Sequence, residues 1–410
     1  MSSIGASTQT HRARWVVPVE SPPIPGGCVV FRGETLIGVG PPIDSDQAVV
    51  DWGDAVIVPG FVNAHSHLEF SGLAAPLGHA GMSFPDWILT VLEYRRAPEF
   101  DAAAAVVAGF SESIAAGTTT LGDIASCVPL LPFDRPPEAL DLVSFVELIG
   151  LAAPRGAGQL ERLNDVLARA ERAGVRHGIG PHAPYTVRPE LFEAAVAASA
   201  ARRKPLAFHL AESPEELQLL ATADGKLVDY MRTLGAWDDT AVPRGTRPLD
   251  YLRRLAHAHR ALVIHGNYLA ADEIEFLAAQ RESMATVYCP RTHAYFNHAP
   301  HPLPKLLAAG AAVALGTDGR CTNPDLSLLA EMRHVAQAFP QLDPHRILQL
   351  GTLDGAHALG VAAETGSLVT GKRADFVVLQ LSSSERDPVA AILSEPPRIA
   401  AVYHRGRRAV

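Results

Sequence analysis

Two histidines one residue apart, His65 and His67, sit at the end of an apolar run, Phe61-Val62-Asn63-Ala64. In a β-strand, residues two apart point to the same face, so the pair would present two imidazoles to one side. Such a pair alone is weak, because most His-x-His sequences are surface or core coincidences. Three more groups of the same kind close later apolar runs: His209 after Pro205-Leu206-Ala207-Phe208, His265 after Leu262-Val263-Ile264, and Asp318 after Val313-Ala314-Leu315-Gly316-Thr317. Neutral imidazoles and a carboxylate, with no thiolate among them, suit Zn²⁺ or Fe²⁺ bound with one position open to water. Each residue taken singly reads as a satisfied core group. Their shared position at strand ends favours the metal reading instead.

The elements that must bring these residues together follow from the middle of the chain. Candidate strands end at His65, Asp123, Leu148, His182, His209, His265, Cys289 and Asp318, and segments such as Glu190 to Ala201 and Leu326 to Ala338 have helical spacing between them. Strands alternating with helices imply parallel βα units, and this number closes a (β/α)8 TIM-like barrel. Such a barrel gathers the C-terminal ends of its strands on one face, where ligands distant in sequence converge. An open doubly wound sheet is the rival, but no Gly-rich fingerprint follows the first strand. The two chain ends read differently. Trp15-Val16-Val17, Cys28 to Phe31, Leu36 to Val39, Asp375 to Leu379 and Ala400 to Tyr403 are short strands among Pro/Gly turns. They predict a small composite β-sandwich formed by residues 1–57 and 364–410 around a barrel at 58–363.

The 410 residues exceed what one core usually fills, and 48% hydrophobic against 19% charged is a globular profile. A net charge of −9 leaves no basic stripe for phosphates, which argues against a nucleic-acid partner. Cys28, Cys127, Cys289 and Cys321 form no CxxC pair, so neither a disulfide framework nor a thiolate zinc site is expected, and a reducing cytoplasm fits. The N-terminal stretch has no apolar core of signal-peptide length, and no apolar run is long enough to span a bilayer. A soluble enzyme with a small-molecule substrate is expected, with self-association into a homo-oligomer left open.

In order along the chain, VPGFVNAHSH, FHLAE, VIHGN and LGTDG resemble the motifs of the amidohydrolase superfamily. Within it they are most similar to the mononuclear deaminase branch that includes cytosine, guanine and methylthioadenosine/S-adenosylhomocysteine deaminases. The likeness extends to TLDGAHALG (Thr352 to Gly360) and to Gly366 through Asp375. It implies a barrel flanked by a β-sandwich and one divalent ion, zinc or iron, held by His65, His67, His209 and Asp318. Asp318 would also accept a proton from the ion's water, and His265 would hold that water and steady the tetrahedral centre. Glu212, three residues after His209, would shuttle a proton to a ring nitrogen and the departing ammonia. Its plainer reading is a carboxylate at a helix start, Glu212-Ser213-Pro214-Glu215-Glu216, with Glu215 and Glu216 only first-turn acids favoured by the helix dipole. Dinuclear relatives bridge two ions with a carboxylated lysine; Lys204, Lys226, Lys305 and Lys372 all lie away from the strand ends, which favours one ion.

The run PHAPY makes His182 a substrate-binding candidate by the same resemblance. HLEFS, with Glu147 on the third strand, resembles the aminodeoxyfutalosine deaminases and makes Glu69 and Glu147 candidates for substrate hydroxyls. Asp86 reads as a solvated loop acid. Two segments depart from the pattern of methylthioadenosine-type deaminases: CPRTHAYF from Cys289 and GRCTN from Gly319. There Arg291, His293 or Arg320 could read an anionic substituent, or equally serve as structural ion pairs. His298 and His301 are expected in solvent. Together these residues predict deamination of an aminopurine nucleoside or related N-heterocycle. The alternatives are hydrolysis at another leaving group (chlorohydrolase or cyclic amidase) and, from another class, a non-catalytic metabolite-binding barrel.

Overall fold

Eight apolar runs rich in β-branched residues become parallel strands buried on both faces, as a sheet covered by helices requires. They are β1 (Phe61–Ser66), β2 (Thr118–Ala125), β3 (Asp141–Leu148), β4 (Arg176–Pro181), β5 (Pro205–Leu210), β6 (Arg260–His265), β7 (Met284–Tyr288) and β8 (Ala312–Leu315), each hydrogen-bonded to its neighbour in sequence. The computed structural model describes residues 7–42, 48–126, 139–382 and 386–410. Cys127 lies outside the described residues; Cys28, Cys289 and Cys321 are free and buried. Among the described residues no helix is long and apolar enough to cross a membrane.

The amphipathic segments between strands form helices whose ends are fixed locally. Asp101 caps Ala102–Ala115 by accepting from the Ala104 amide, and Ser327 caps Leu328–Ala338 by accepting from Ala330. Pro at the first turn of Pro189–Arg202 pre-sets its start. Val143 and Phe145 of β3, Ala207 of β5, Leu262 and Ile264 of β6 and Val287 of β7 form the interior packing, joined by Ala356 and Leu359 from the TLDGAHALG helix, Leu353–Leu359.

The cylinder closes between β8 and β1. Ser66 and Asp318 form a parallel bridge, and the Thr317 and Asp318 amides both donate to the His65 carbonyl at 3.1 Å. Asn63 staples the same seam: its Oδ1 accepts from the amides of His65 (3.3 Å) and Thr317 (3.2 Å), and its Nδ2 donates to Thr317 Oγ1 at 2.7 Å. Gly316 is required there, since a Cβ would stand 2.8 Å from the His65 Cβ and 2.9 Å from its carbonyl oxygen.

Both chain ends build the flanking sandwich. One sheet orders Thr35–Gly40, Cys28–Arg32, Thr8–Arg12 and Val49–Asp51. The other orders Arg407–Arg408, Arg398–His404, Phe376–Gln380, Ala55–Pro59, Trp15–Val16 and Ile24–Pro25, so C-terminal strands pair directly with N-terminal ones. Val29, Phe31, Leu36, Ile57, Phe376, Val378 and Tyr403 pack together between the sheets. The helix Pro388–Ser394, although in the C-terminal segment, packs on the barrel helices Leu328–Ala338 and Pro344–Leu350.

The tight seam predicts that Gly316→Ala destabilises the protein by about 1–3 kcal/mol in urea unfolding, the usual cost of overpacking. Gly40→Ala, where a Cβ meets nothing within 4 Å, is expected to stay within about 0.5 kcal/mol of wild type.

Candidate active site

The seam and the ends of β5 and β6 place five titratable side chains around one point. His65 Nε2 and His67 Nε2 each lie 3.6 Å from Asp318 Oδ1, and His67 Nε2 lies 3.4 Å from His209 Nε2. Possible ligand atoms of His65, His67 and Asp318, and likewise of His65, His209 and His265, fall within 4.8 Å of one another. All of these side chains are buried. The backbone is forced to achieve this. His265 (φ 69°), Asp318 (φ 58°) and Ala211 (φ 56°) occupy left-handed conformations that non-glycine residues rarely adopt. Surrounding hydrogen bonds hold them, among them Gly266 N–H to the Leu210 carbonyl and Asn323 Nδ2 to the Thr317 carbonyl.

The donor set fits a divalent ion. His65 Nε2 is fully buried yet makes no hydrogen bond, an orphan that a cation would satisfy. Separations of 3.4–3.6 Å approach the edge, about 3.4 Å, of a tetrahedron with corners about 2.1 Å from its centre. His209 Nδ1 donates to the His182 carbonyl at 3.0 Å, which fixes the tautomer that leaves Nε2 as a lone-pair donor. Burial drives the His65 and His67 imidazoles well below their usual range and His209 down to about 4, so all three are neutral and able to ligate. Burial pushes the Cys289 and Cys321 thiols well up, which leaves no thiolate to compete.

Glu212 stands beside this cluster, its Oε1 3.4 Å from His265 Nε2. Burial, then the negative charges of Asp318 and Glu216, raise its carboxyl well above the usual carboxylate range; a hydrogen bond from Tyr185 opposes them. Asn267, the last residue of VIHGN, donates Nδ2–H to the Glu212 carbonyl at 2.9 Å. Glu216 departs from the expectation of a first-turn acid stabilised by the dipole. It is fully buried, and its two oxygens accept from the Ala211 and Glu212 amides at 2.8 Å each. Burial pushes its carboxyl up to about 7.

His182 follows β4, its ring centroid 4.9 Å from that of His209, with Nδ1 2.7 Å from Thr186 Oγ1. Burial lowers it to about 3, so it stays neutral. Glu69 is buried and paired with Arg95, which also donates to Ser126 Oγ. Glu147 is buried on the same face of β3 as the interior residues Val143 and Phe145. Asp123, expected only as a strand end, does more: Oδ1 accepts from Ser66 Oγ (3.1 Å) and the Leu68 amide (2.9 Å), so it shapes the turn carrying His67. Burial, with Glu69 and Glu147 adding to it, pushes Asp123 up to about 8.

Other expectations shift. Arg291 is a structural ion pair, not a free substrate anchor: its guanidinium donates to Glu331 (2.6 Å) and to both Asp325 oxygens (2.7 and 3.1 Å). Arg320 is paired with Glu112, and His293 Nε2 bonds the Ala299 carbonyl. Asp86 is an exposed acid in the cap of Phe84–Arg96. His301 is not in solvent. It is buried, stacked on Tyr288 with centroids 3.8 Å apart, and donates Nε2–H to the His265 carbonyl at 3.0 Å; His298 is partly buried against Tyr268. Sequence reasoning missed Tyr185, Asn267, Glu216 and Arg95. The first two lie inside the PHAPY and VIHGN motifs, and Ser213-x-x-Glu216 carried a helix-start signature, whereas nothing marked Arg95.

His301 sits at about 3, down from 6.5, because burial disfavours its charged form. A depressed histidine contributes stability above its unfolded value and loses it as the pH falls toward the folded one. His301→Phe is therefore expected to weaken the acid sensitivity of unfolding below about pH 6.5, by up to about 1.4 kcal/mol per pH unit. Urea titrations of both proteins from about pH 7 to about pH 5 measure the difference; parallel curves would contradict it.

The chain is similar to known proteins along most of its length. The chain is 27% identical over 384 residues to a 5-methylthioadenosine/S-adenosylhomocysteine deaminase of Syntrophomonas wolfei, covering 88% of this chain and 80% of that one. It is 30% identical over 356 residues to an aminodeoxyfutalosine deaminase of Deinococcus radiodurans, covering 82% of each. A solved adenosine deaminase of Xanthomonas campestris with bound zinc has the same fold, with a TM-score of 0.80 at 22% identity over 98% of this chain and 92% of that one. Residues 56–408 match the amidohydrolase family, and with a match of that extent the chain belongs to it.

Proposed function

We propose that this protein is a hydrolytic deaminase of adenosine-type nucleosides, working with one zinc ion held by His65, His67, His209 and Asp318. The observation that carries the reading is Glu212: a buried carboxyl, held well above the usual carboxylate range by that burial, 3.4 Å from His265 Nε2 and beside the ligand cluster. A zinc ion there would supply Lewis acidity, lowering the pKa of a coordinated water to about 7. Zinc is preferred over iron because the nitrogen and oxygen donors lie near tetrahedral spacing.

The side chains divide the remaining work. Asp318 accepts a proton from the attacking water, and His265 Nε2 orients that water and stabilises charge at the tetrahedral carbon. Glu212 passes a proton to a ring nitrogen and then to the leaving amine. That task needs a carboxyl that takes and returns a proton more readily than an exposed glutamate, and burial raises Glu212 in that direction. His182, held by Thr186, keeps its other ring nitrogen for the substrate. Glu69 and Glu147 take sugar hydroxyls, and the Arg95 pairing fixes Glu69 in place. The barrel at 58–363 then carries all the chemistry, and the described strands within 1–57 and 364–410 form the flanking domain, with the helix Pro388–Ser394 returning to the barrel. Three free, buried cysteines support a reducing compartment, the cytoplasm.

Ammonia release from adenosine derivatives, with none from cyclic amides, is the expected outcome of a substrate screen; ring opening without ammonia would refute deamination. Chelation should remove the activity, and zinc should restore it. Glu212→Gln should lower kcat by about 10²–10⁴-fold with zinc content unchanged, as loss of a general acid–base does. Undiminished turnover would remove Glu212 from the mechanism.

A further inference from the structure

The helix Pro214–Thr222 opens with Ser213 as N-cap, accepting from the Glu216 amide at 3.2 Å. In an ordinary Ser-x-x-Glu start the glutamate reaches back to the N-cap amide, a surface arrangement. Here Glu216 reaches further. Each carboxylate oxygen accepts from one of two successive amides, Ala211 and Glu212, at 2.8 Å, and the side chain is wholly buried. Ala211 is in the left-handed region at φ 56°, the kind of turn in which successive N–H groups converge on an anion. From the other side, Asn267 holds the Glu212 carbonyl at 2.9 Å. The peptide groups flanking Glu212 are thus clamped on both faces before its side chain reaches His265.

We infer that Glu216 is a positioning residue for proton transfer: its buried carboxylate folds the turn after β5 so that the Glu212 carboxyl meets His265. This rests on the proton-shuttle reading of Glu212. Nothing about starting a helix requires a fully buried acid, since Ser213 already caps it, and burying a carboxylate costs free energy that a polar or apolar residue would not. Two backbone N–H groups and the strained Ala211 conformation account for its being an acid. Glu216 is wholly buried against the backbone of the turn and acts through Glu212.

A double-mutant cycle on the full-length, zinc-loaded protein tests this, with a nucleoside that yields ammonia as substrate. Glu216→Gln retains size but sets an amide N–H against one backbone N–H. It is expected to lower kcat about 10- to 100-fold with KM within about twofold and zinc per chain unchanged. In the Glu212→Gln background the same change is expected to alter the residual rate by less than about twofold, because the group it positions is gone. Equal losses in both backgrounds, a wild-type kcat, or a loss that tracks zinc content would each overturn the inference. If Glu216→Gln does not fold, Glu216→Asp retains the charge while withdrawing it by one methylene. The same kcat-selective loss is expected there, and wild-type kcat would overturn it. Full turnover by Glu212→Gln alone would instead refute the shuttle reading, so the two failures are distinguishable.

Discussion

The contact between the first and last barrel strands governs this molecule. His65 and His67 leave β1 while Asp318 follows β8, some 250 residues later, and only closure of the cylinder makes them neighbours. Asn63 accepts from the His65 amide on its own strand and from the Thr317 amide across that junction, where it also donates to the Thr317 hydroxyl. Gly316 lets the strands approach, and the His65 carbonyl takes two donors from the arriving chain. A seam open by an ångström would separate an imidazole from the carboxylate by more than a coordination sphere tolerates. The fold and the site are one construction, with the hydrogen bonds that seal the barrel also spacing the proposed ligands.

Burial gives the site its chemical character. Several imidazoles and carboxyls crowd a region that water barely reaches, and the low local polarity pushes the imidazoles of His65, His67, His209 and His265 and the carboxyl of Glu212 toward their neutral forms. For the histidines neutrality is what ligation requires. For Glu212 it raises the carboxyl well above the range of an exposed glutamate, as the proposed proton shuttle requires. The cost appears as left-handed Ala211, His265 and Asp318, which the surrounding hydrogen bonds hold in place.

Much of this was legible in the sequence because strands ending in His or Asp are a simple pattern with one geometric consequence. The strand ends at His65, His209, His265 and Asp318 fall within three residues of those observed, and the sandwich strands at Trp15, Cys28, Leu36 and Phe376 appear as expected. Residues acting through backbone were harder to see. Glu216 looked like any first-turn acid, since a sequence shows which residue starts a helix but not whether its carboxylate turns inward. Arg291 followed the strand-seven cysteine, so an anion-binding role was open until its guanidinium met Asp325 and Glu331, more than 30 residues on. His301 was expected in solvent because Pro-rich segments usually run over the surface; here the segment turns inward and stacks the ring on Tyr288. Such partners are long-range, and local pattern carries no trace of them.

The most direct measurement of the central claim is anomalous scattering at the zinc edge from crystals of the zinc-loaded protein. One peak is predicted, about 2.0–2.2 Å from the Nε2 atoms of His65, His67 and His209 and from an Asp318 oxygen. A peak bound elsewhere, or none in protein that remains catalytically active, would contradict the account.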